Sequence, residues 1–404
     1  MVAIPREATM HGPAEKRQGF GATLRSMLGA LLASAPSVAA EVAAAEEPPM
    51  VLARTGYFFV GGKIDPTVQG SPMVGQMYVE FMIPTELRSP YPIVMIHGGS
   101  QTGTNFTGTP DGREGWAQYF VRRGHAVYVV DQVARGRSAH YSQSQGPVAA
   151  ANLARTEQRF VAPERFNMWP QAKLHTQWPG TGKPGDPVFD QFYATQFPSL
   201  VSFPKQQEIN RAAAIALFDK IGPAVLLIHS QSGTFIWPIV DARPHLVKAV
   251  IAVEPNGPPV YETEFKGAPE WFADMGKKKR WGLGEVPITY DPPLKDGEEL
   301  AVVRQDKPDK PDLVRCWQQQ EPARKLPKLT NTPILIVIAE ASYHAAYDHC
   351  TANWLTQAGV RNTMIRLGDV GVHGNGHMMM LEKNSEQIAG VMLDWLSKTL
   401  AASK

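Results

Sequence analysis

The chain has 404 residues, 43% of them hydrophobic and 19% charged, with a formal net charge of +2. That content supplies one sizeable core, and so even a charge balance gives no field that would gather nucleic acid. The 35 glycines and 34 prolines point to long, well-punctuated loops rather than disorder.

Residues 1–40 stand apart. Arg6, Lys16, Arg17 and Arg25 precede the apolar run "MLGALLASAPSVAA", the pattern of a signal or leader peptide with cleavage near Ala40. The same residues also read as an Ala-rich disordered leader or a transit peptide. Export would place the protein in a secreted or periplasmic setting; otherwise it is cytoplasmic. The run is too short to span a bilayer, and no integral membrane segment is expected. Two cysteines occur, Cys316 and Cys350. An oxidising compartment would permit one disulfide; a cytosolic chain would keep two buried thiols. No Cys/His spacing suggests zinc.

From residue 41 onward the chain reads as one catalytic domain. "TGYFFVGGKI" and "GQMYVEFMIP" alternate as two early strands. "YPIVMIHGG" is a buried strand ending in glycines. "GREGWAQYFVRRG" places Trp116, Tyr119 and Phe120 on one helical face. "HAVYVVDQ" is the next strand. "KQQEINRAAAIALFDKIG" is a helix closed by Gly222. "AVLLIH" is the fifth strand, and "LVKAVIAVEPNG" contains the sixth. "TPILIVIAE" and "NTMIRLGD" follow, with the helix-like "YDHCTANWLTQAG" between them. "NSEQIAGVMLDWLSKTL" is a last amphipathic helix capped by Asn384 or Ser385. Continuous Val/Ile/Leu runs alternating with helices predict an α/β fold, a mostly parallel twisted sheet flanked by helices.

Two segments break the alternation, about 139–204 and 258–329. They follow the fourth and sixth strands, at the carboxyl end of the sheet where ligands bind. Segments of this length are uncommon unless functional, so they read as cap or lid insertions. The basic run "GKKKRWG" at 276–282 reads as a solvated loop. "NFT" at Asn105 has the form of a glycosylation acceptor, close to the glycine turn after the third strand.

A serine nucleophile needs a base, an orienting carboxylate and oxyanion donors. In "AVLLIHSQSGTF" an apolar strand stops at two serines. Small flanking residues favour Ser232; the end of the apolar run and the match of "IHSQSG" to a strand-turn-helix elbow favour Ser230. Ser230 is the preferred nucleophile, with Ile228 and Ser232 standing where such an elbow usually has glycine. For the base, "GVHGNGHMMMLEKN" offers His377 and, as an alternative, His373. Two glycines between them argue against a helical H-x-x-x-H metal pair, and no metal is expected. For the acid, Glu254 closes the sixth strand, where a lone charge after a buried run requires a partner. Glu340 and Asp348 are the alternatives, and Ser342 stands where an aspartate is usual. The glycine turn after the third strand offers an N–H of Gly99 or Ser100, to act with that of Gln231 as the oxyanion hole. No glycine-rich phosphate motif is present, and no cofactor is expected.

With these motifs in order, the chain resembles the α/β-hydrolase superfamily over about Thr55 to Lys398. The "HGG" turn, "DQVARGRS", the serine elbow and "GHMMMLE" occur in the superfamily's sequence. "HSQSG", "VEPNG" and "HGNGHMMM" together are similar to a small esterase subfamily with its glutamate after the sixth strand. That resemblance implies a Ser/Glu/His triad of Ser230, Glu254 and His377, acting on a small-molecule ester or lactone. Acyltransferase or lyase chemistry on the same fold, and a binding module without catalysis, are the alternatives.

Overall fold

The apolar runs form a single eight-stranded sheet. In chain order its strands are β1 (Leu52–Ile64), β2 (Met73–Pro84), β3 (Ile93–Ile96), β4 (Val127–Asp131), β5 (Ala224–His229), β6 (Val247–Val253), β7 (Ile334–Ile338) and β8 (Asn362–Arg366). Across the sheet they run β1-β2-β4-β3-β5-β6-β7-β8. β2 pairs antiparallel with β1 and β4, and every later pairing is parallel. The computed structural model describes residues 48–402; the leader expected over 1–40 lies outside them.

The parallel strands explain the unbroken apolar runs. Every residue of β3, β5 and β7 is buried, because helices cover both faces. On one face Met95, Val225 and Leu227 pack with α1 (Trp116–Arg122) and the C-terminal helix α5 (Ser385–Ala401). On the other, Val94, Leu226 and Ile228 meet α2 (Phe203–Ile221), α3 (Gly233–Ala242) and α4 (Asp348–Gln357). Alternate residues of each strand supply the two cores. The helix α3 carries an internal proline, Pro238, which hides it from a periodicity reading.

The segment 139–204 folds into short turns and helices, including a π-helical turn at Glu157–Val161. The segment 258–329 forms two small antiparallel ribbons, Glu262–Phe265 with Phe272–Met275 and Val302–Arg304 with Trp317–Gln319. Both contribute to a third apolar cluster, in which Trp169, Phe265 and Val314 pack with Tyr343 and Tyr347. From Pro49 onward the described residues form one compact unit, so the insertions are not separate lobes. Cys316 and Cys350 are joined in a disulfide that fastens the second insertion to α4. The "GKKKRWG" run departs from a solvated loop. Lys279 is buried, pairing with Glu262 at 2.7 Å and donating to Pro258 O at 2.8 Å, because Glu262 offers its charge a partner.

Candidate active site

β5 ends at His229, α3 starts at Gly233, and the three residues between make a single tight turn. Ser230 sits at its tip with φ +54°, a left-handed backbone that side-chain-bearing residues adopt at a strained elbow. Two glycines make the turn possible. A Cβ on Gly98 would lie 2.9 Å from Ser230 Cβ, and one on Gly233 would lie 2.5 Å from Asn256 N. Ser232 behaves differently. It is fully buried, and its Oγ lies 2.9 Å from Ile96 O and 2.8 Å from His229 O while accepting from His229 N. Its hydroxyl is committed to holding the turn.

The loop after β8 carries His377 into the same region. Its Nδ1 lies 2.5 Å from Glu254 Oε2, and both side chains are buried. Glu254 immediately follows β6, at φ +46°. Its Oε1 accepts from Ala339 N at 2.8 Å and its Oε2 from Ser342 Oγ at 2.7 Å. The elbow histidine His229 donates from Nε2 to the carbonyl of His377 at 3.0 Å, tying the elbow to this loop. The imidazole of His377 is walled by Phe160, at 5.4 Å between ring centres, and by His344 at 4.7 Å. The Tyr343 hydroxyl lies 3.2 Å from its Nε2, and Ser230 is near enough to the same phenol to act on its ionisation. Among the described residues no direct hydrogen bond joins Ser230 Oγ to His377; Tyr343 stands at that nitrogen.

The alternatives lie elsewhere. Glu340 pairs with the exposed His373 at 2.9 Å and accepts from Gly374 N, so these two partner each other and stay outside the buried cluster. Asp348 is buried against His344 Nδ1 at 2.9 Å, one ring removed from His377. Ser100 has φ +56°, and its N–H donates to Ser199 Oγ at 3.0 Å. That bond engages the Ser100 N–H, while Gly99 packs beside the Gln231 side chain. Asn105 is 2% exposed, so a glycan has no place on it.

The "DQVARGRS" run braces this glycine turn. Asp131 accepts from Gly103 N and Arg137 N, each at 2.8 Å. Arg135 is buried and donates to Gly98 O at 3.2 Å, Gln101 O at 3.3 Å and Gln231 Oε1 at 3.4 Å. Burial draws its guanidinium down to about 10, which leaves it charged at neutral pH. The histidine loop has its own brace. Glu382, fully buried, accepts from Gly376 N at 2.9 Å, Asn375 Nδ2 at 2.8 Å and His175 Nε2 at 2.8 Å. His175 comes from the first insertion, and its Nδ1 meets Glu164 at 2.8 Å. Despite burial, the two carboxylates hold His175 up at about 9.

Burial raises the Glu254 carboxyl to about 8 and depresses the His377 imidazole well below its ordinary value, with His229, His344 and Arg159 adding to the depression. Donors from Ala339, Ser342 and His377 aim at Glu254 and favour its carboxylate. The arrangement holds an uncharged imidazole whose Nε2 meets the Tyr343 hydroxyl. Glu254, His344 and His377 bring ligand-type atoms within 4.8 Å of one another, yet Glu254 and His377 Nδ1 already bond each other and His344 Nδ1 bonds Asp348. The other such group, Cys316, His349 and Cys350, has its sulfurs in the disulfide. Sequence reasoning missed Tyr343, His344, His229 and Phe160. Their one signal was aromatic density beside the strand ends, which a hydrophobic core also produces.

No protein-family model matches the chain. "Probable secreted lipase phiG" from Fungal sp. (strain ATCC 74256) is 44% identical over 348 residues, spanning 85% of this chain and 90% of that protein. Among solved structures, the atomic-resolution structure of a novel bacterial esterase is similar with a TM-score of 0.57 and 25% identity, over 87% of this chain and 98% of that one. On this likeness of sequence and architecture, the chain belongs to the esterase-type hydrolases of the α/β-hydrolase fold, in one family with that probable secreted lipase.

Proposed function

We propose that the chain hydrolyses a carboxylic ester or lactone through an acyl-enzyme on Ser230. The observation that carries this reading is the convergence of a strained serine elbow with a buried His377–Glu254 pair at 2.5 Å. Ser230 Oγ attacks the carbonyl carbon while His377 Nε2 takes its proton. Glu254 holds Nδ1–H and stabilises the imidazolium as it forms. The N–H groups of Gly99 and Gln231 bind the oxyanion. His377 then gives the proton to the departing alcohol. Water repeats the sequence on the acyl group and frees the acid. Tyr343 yields its place at Nε2 to the reacting hydroxyl during turnover.

The likeness to a protein named as a secreted lipase supports an ester substrate and favours secretion. The Cys316–Cys350 disulfide suits an oxidising compartment, and no described helix is long and apolar enough to cross a membrane. An active-site phosphonate tests the assignment. It should label the protein on Ser230 and lose labelling in Ser230→Ala. Equal labelling of that variant would sink the reading, and loss confined to Ser232→Ala would move the nucleophile.

A further inference from the structure

The π-helical turn of the first insertion places Arg159 beside the site, and the short helix before it carries the exposed Arg155. Phe160, in that turn, stacks on His377. Arg159, its neighbour, sets its guanidinium 5.3 Å from the Tyr343 ring centre and 5.2 Å from that of Phe265. Tyr343 is the residue whose hydroxyl meets His377 Nε2, so one aromatic ring separates the Arg159 cation from the proposed base. Arg155 precedes it by one helical turn.

Neither arginine has an anionic partner. Among the described residues no carboxylate lies within 4.0 Å of either guanidinium, and neither guanidinium makes a hydrogen bond. The acidic groups around them are engaged: Glu157 with Arg165 at 3.4 Å, and Glu262 with Lys279 at 2.7 Å. Arg159 is half-buried, where a cation without a bonded counter-charge is unfavourable; Glu262 reaches it only at longer range, and the like charge of Arg155 one turn away opposes it. Two buried cations among the described residues, Arg135 and Lys279, are each bonded to carbonyls or a carboxylate. Aromatic faces stabilise Arg159 in part but leave its planar donor fork unused.

We propose that Arg159, assisted by Arg155, is an anion subsite of the catalytic centre, and that the substrate is an ester carrying a carboxylate or a similar acidic group. This rests on the reading of Ser230 as nucleophile and adds the substrate's charge to it. The Arg159 fork holds the acid by paired N–H donors while the ester carbonyl lies at Ser230.

The test compares hydrolysis of two matched probes, a monoaryl ester of a dicarboxylic acid and the same compound with its free acid capped as a methyl ester. The wild type should favour the anionic probe by roughly 10–100-fold in kcat/KM, an effect of one close charge pair. That preference should shrink as salt is added. In Arg159→Met, which keeps the stem over the rings, the ratio should collapse toward unity, and Arg159→Lys should restore part of it. A wild type indifferent to the charge, or preferring the neutral probe, overturns the proposal without any variant. Loss of both probes by the same factor in Arg159→Met also overturns it, leaving the arginine as part of the aromatic wall. Ser230→Ala is the separate control. Should it keep hydrolysing both probes, the nucleophile reading fails, whatever the selectivity.

Discussion

Ser342 Oγ donates to Glu254 Oε2 at 2.7 Å. The residue that stands after β7, where an acid is usual in the resemblance drawn from the sequence, serves a carboxylate borne by β6. Glu254→Gln should lower kcat by about 10⁴-fold, because the amide cannot orient and stabilise the imidazolium in the same way. Ser342→Ala removes one of the donors and should lower it by roughly tenfold. Rates for both variants, with circular dichroism to confirm folding, check the pair. Near-normal turnover in Glu254→Gln would transfer the acid's role elsewhere.

Ser232 makes the opposite prediction. Its hydroxyl bonds the carbonyl ends of β3 and β5, so Ser232→Ala should lose about 1–3 kcal/mol of stability by leaving buried groups unpaired. Labelling by the phosphonate should persist. Urea melts and mass spectrometry of the labelled protein separate the two effects.

The pH profile follows from the buried imidazole. A base must be unprotonated to act, and burial holds His377 well below its ordinary value. Activity should therefore persist as pH falls past about 6.5, the ordinary imidazole value, with the acid limb of kcat/KM lying lower. A limb at or above 6.5 would show that water reaches the site before chemistry.

His175 links the first insertion to the loop that carries His377. Its folded value, about 9, lies above the unfolded value of about 6.5. Its stabilisation is fully present below pH 6.5 and is lost as pH rises through about 9. The difference in Tm between wild type and His175→Gln should be widest below pH 6.5 and shrink toward pH 9. A difference independent of pH would mean that packing, not charge, sets the contribution of His175.

The elements of this site were unequally legible. Ser230, Glu254 and His377 each close an apolar strand or follow a glycine, and local sequence marks such positions. Ser100 looked equivalent to Gly99 because nothing in the glycine turn reveals Ser199, 99 residues away, as the acceptor of its N–H. Lys279 looked solvated because its partner Glu262 lies in another element of the same insertion. Tyr343 and His344 were invisible as site residues, since an aromatic near a strand end reads as core until its neighbours are known.

By itself the sequence determined the layered α/β architecture, since the period and length of apolar runs decide which segments can be buried on both faces. It also determined the elbow, because a buried strand that ends abruptly at small residues leaves few backbone solutions. Only the tertiary structure decided which carboxylate meets His377. Glu254 and Glu340 follow strand ends and Asp348 opens α4, and each finds a histidine: His377, His373 and His344 respectively. The choice among them depends on β6 and β7 lying side by side and on the donors of Ala339 and Ser342 closing over one oxygen pair. Distances between residues far apart in the chain set that outcome, and local sequence does not encode them.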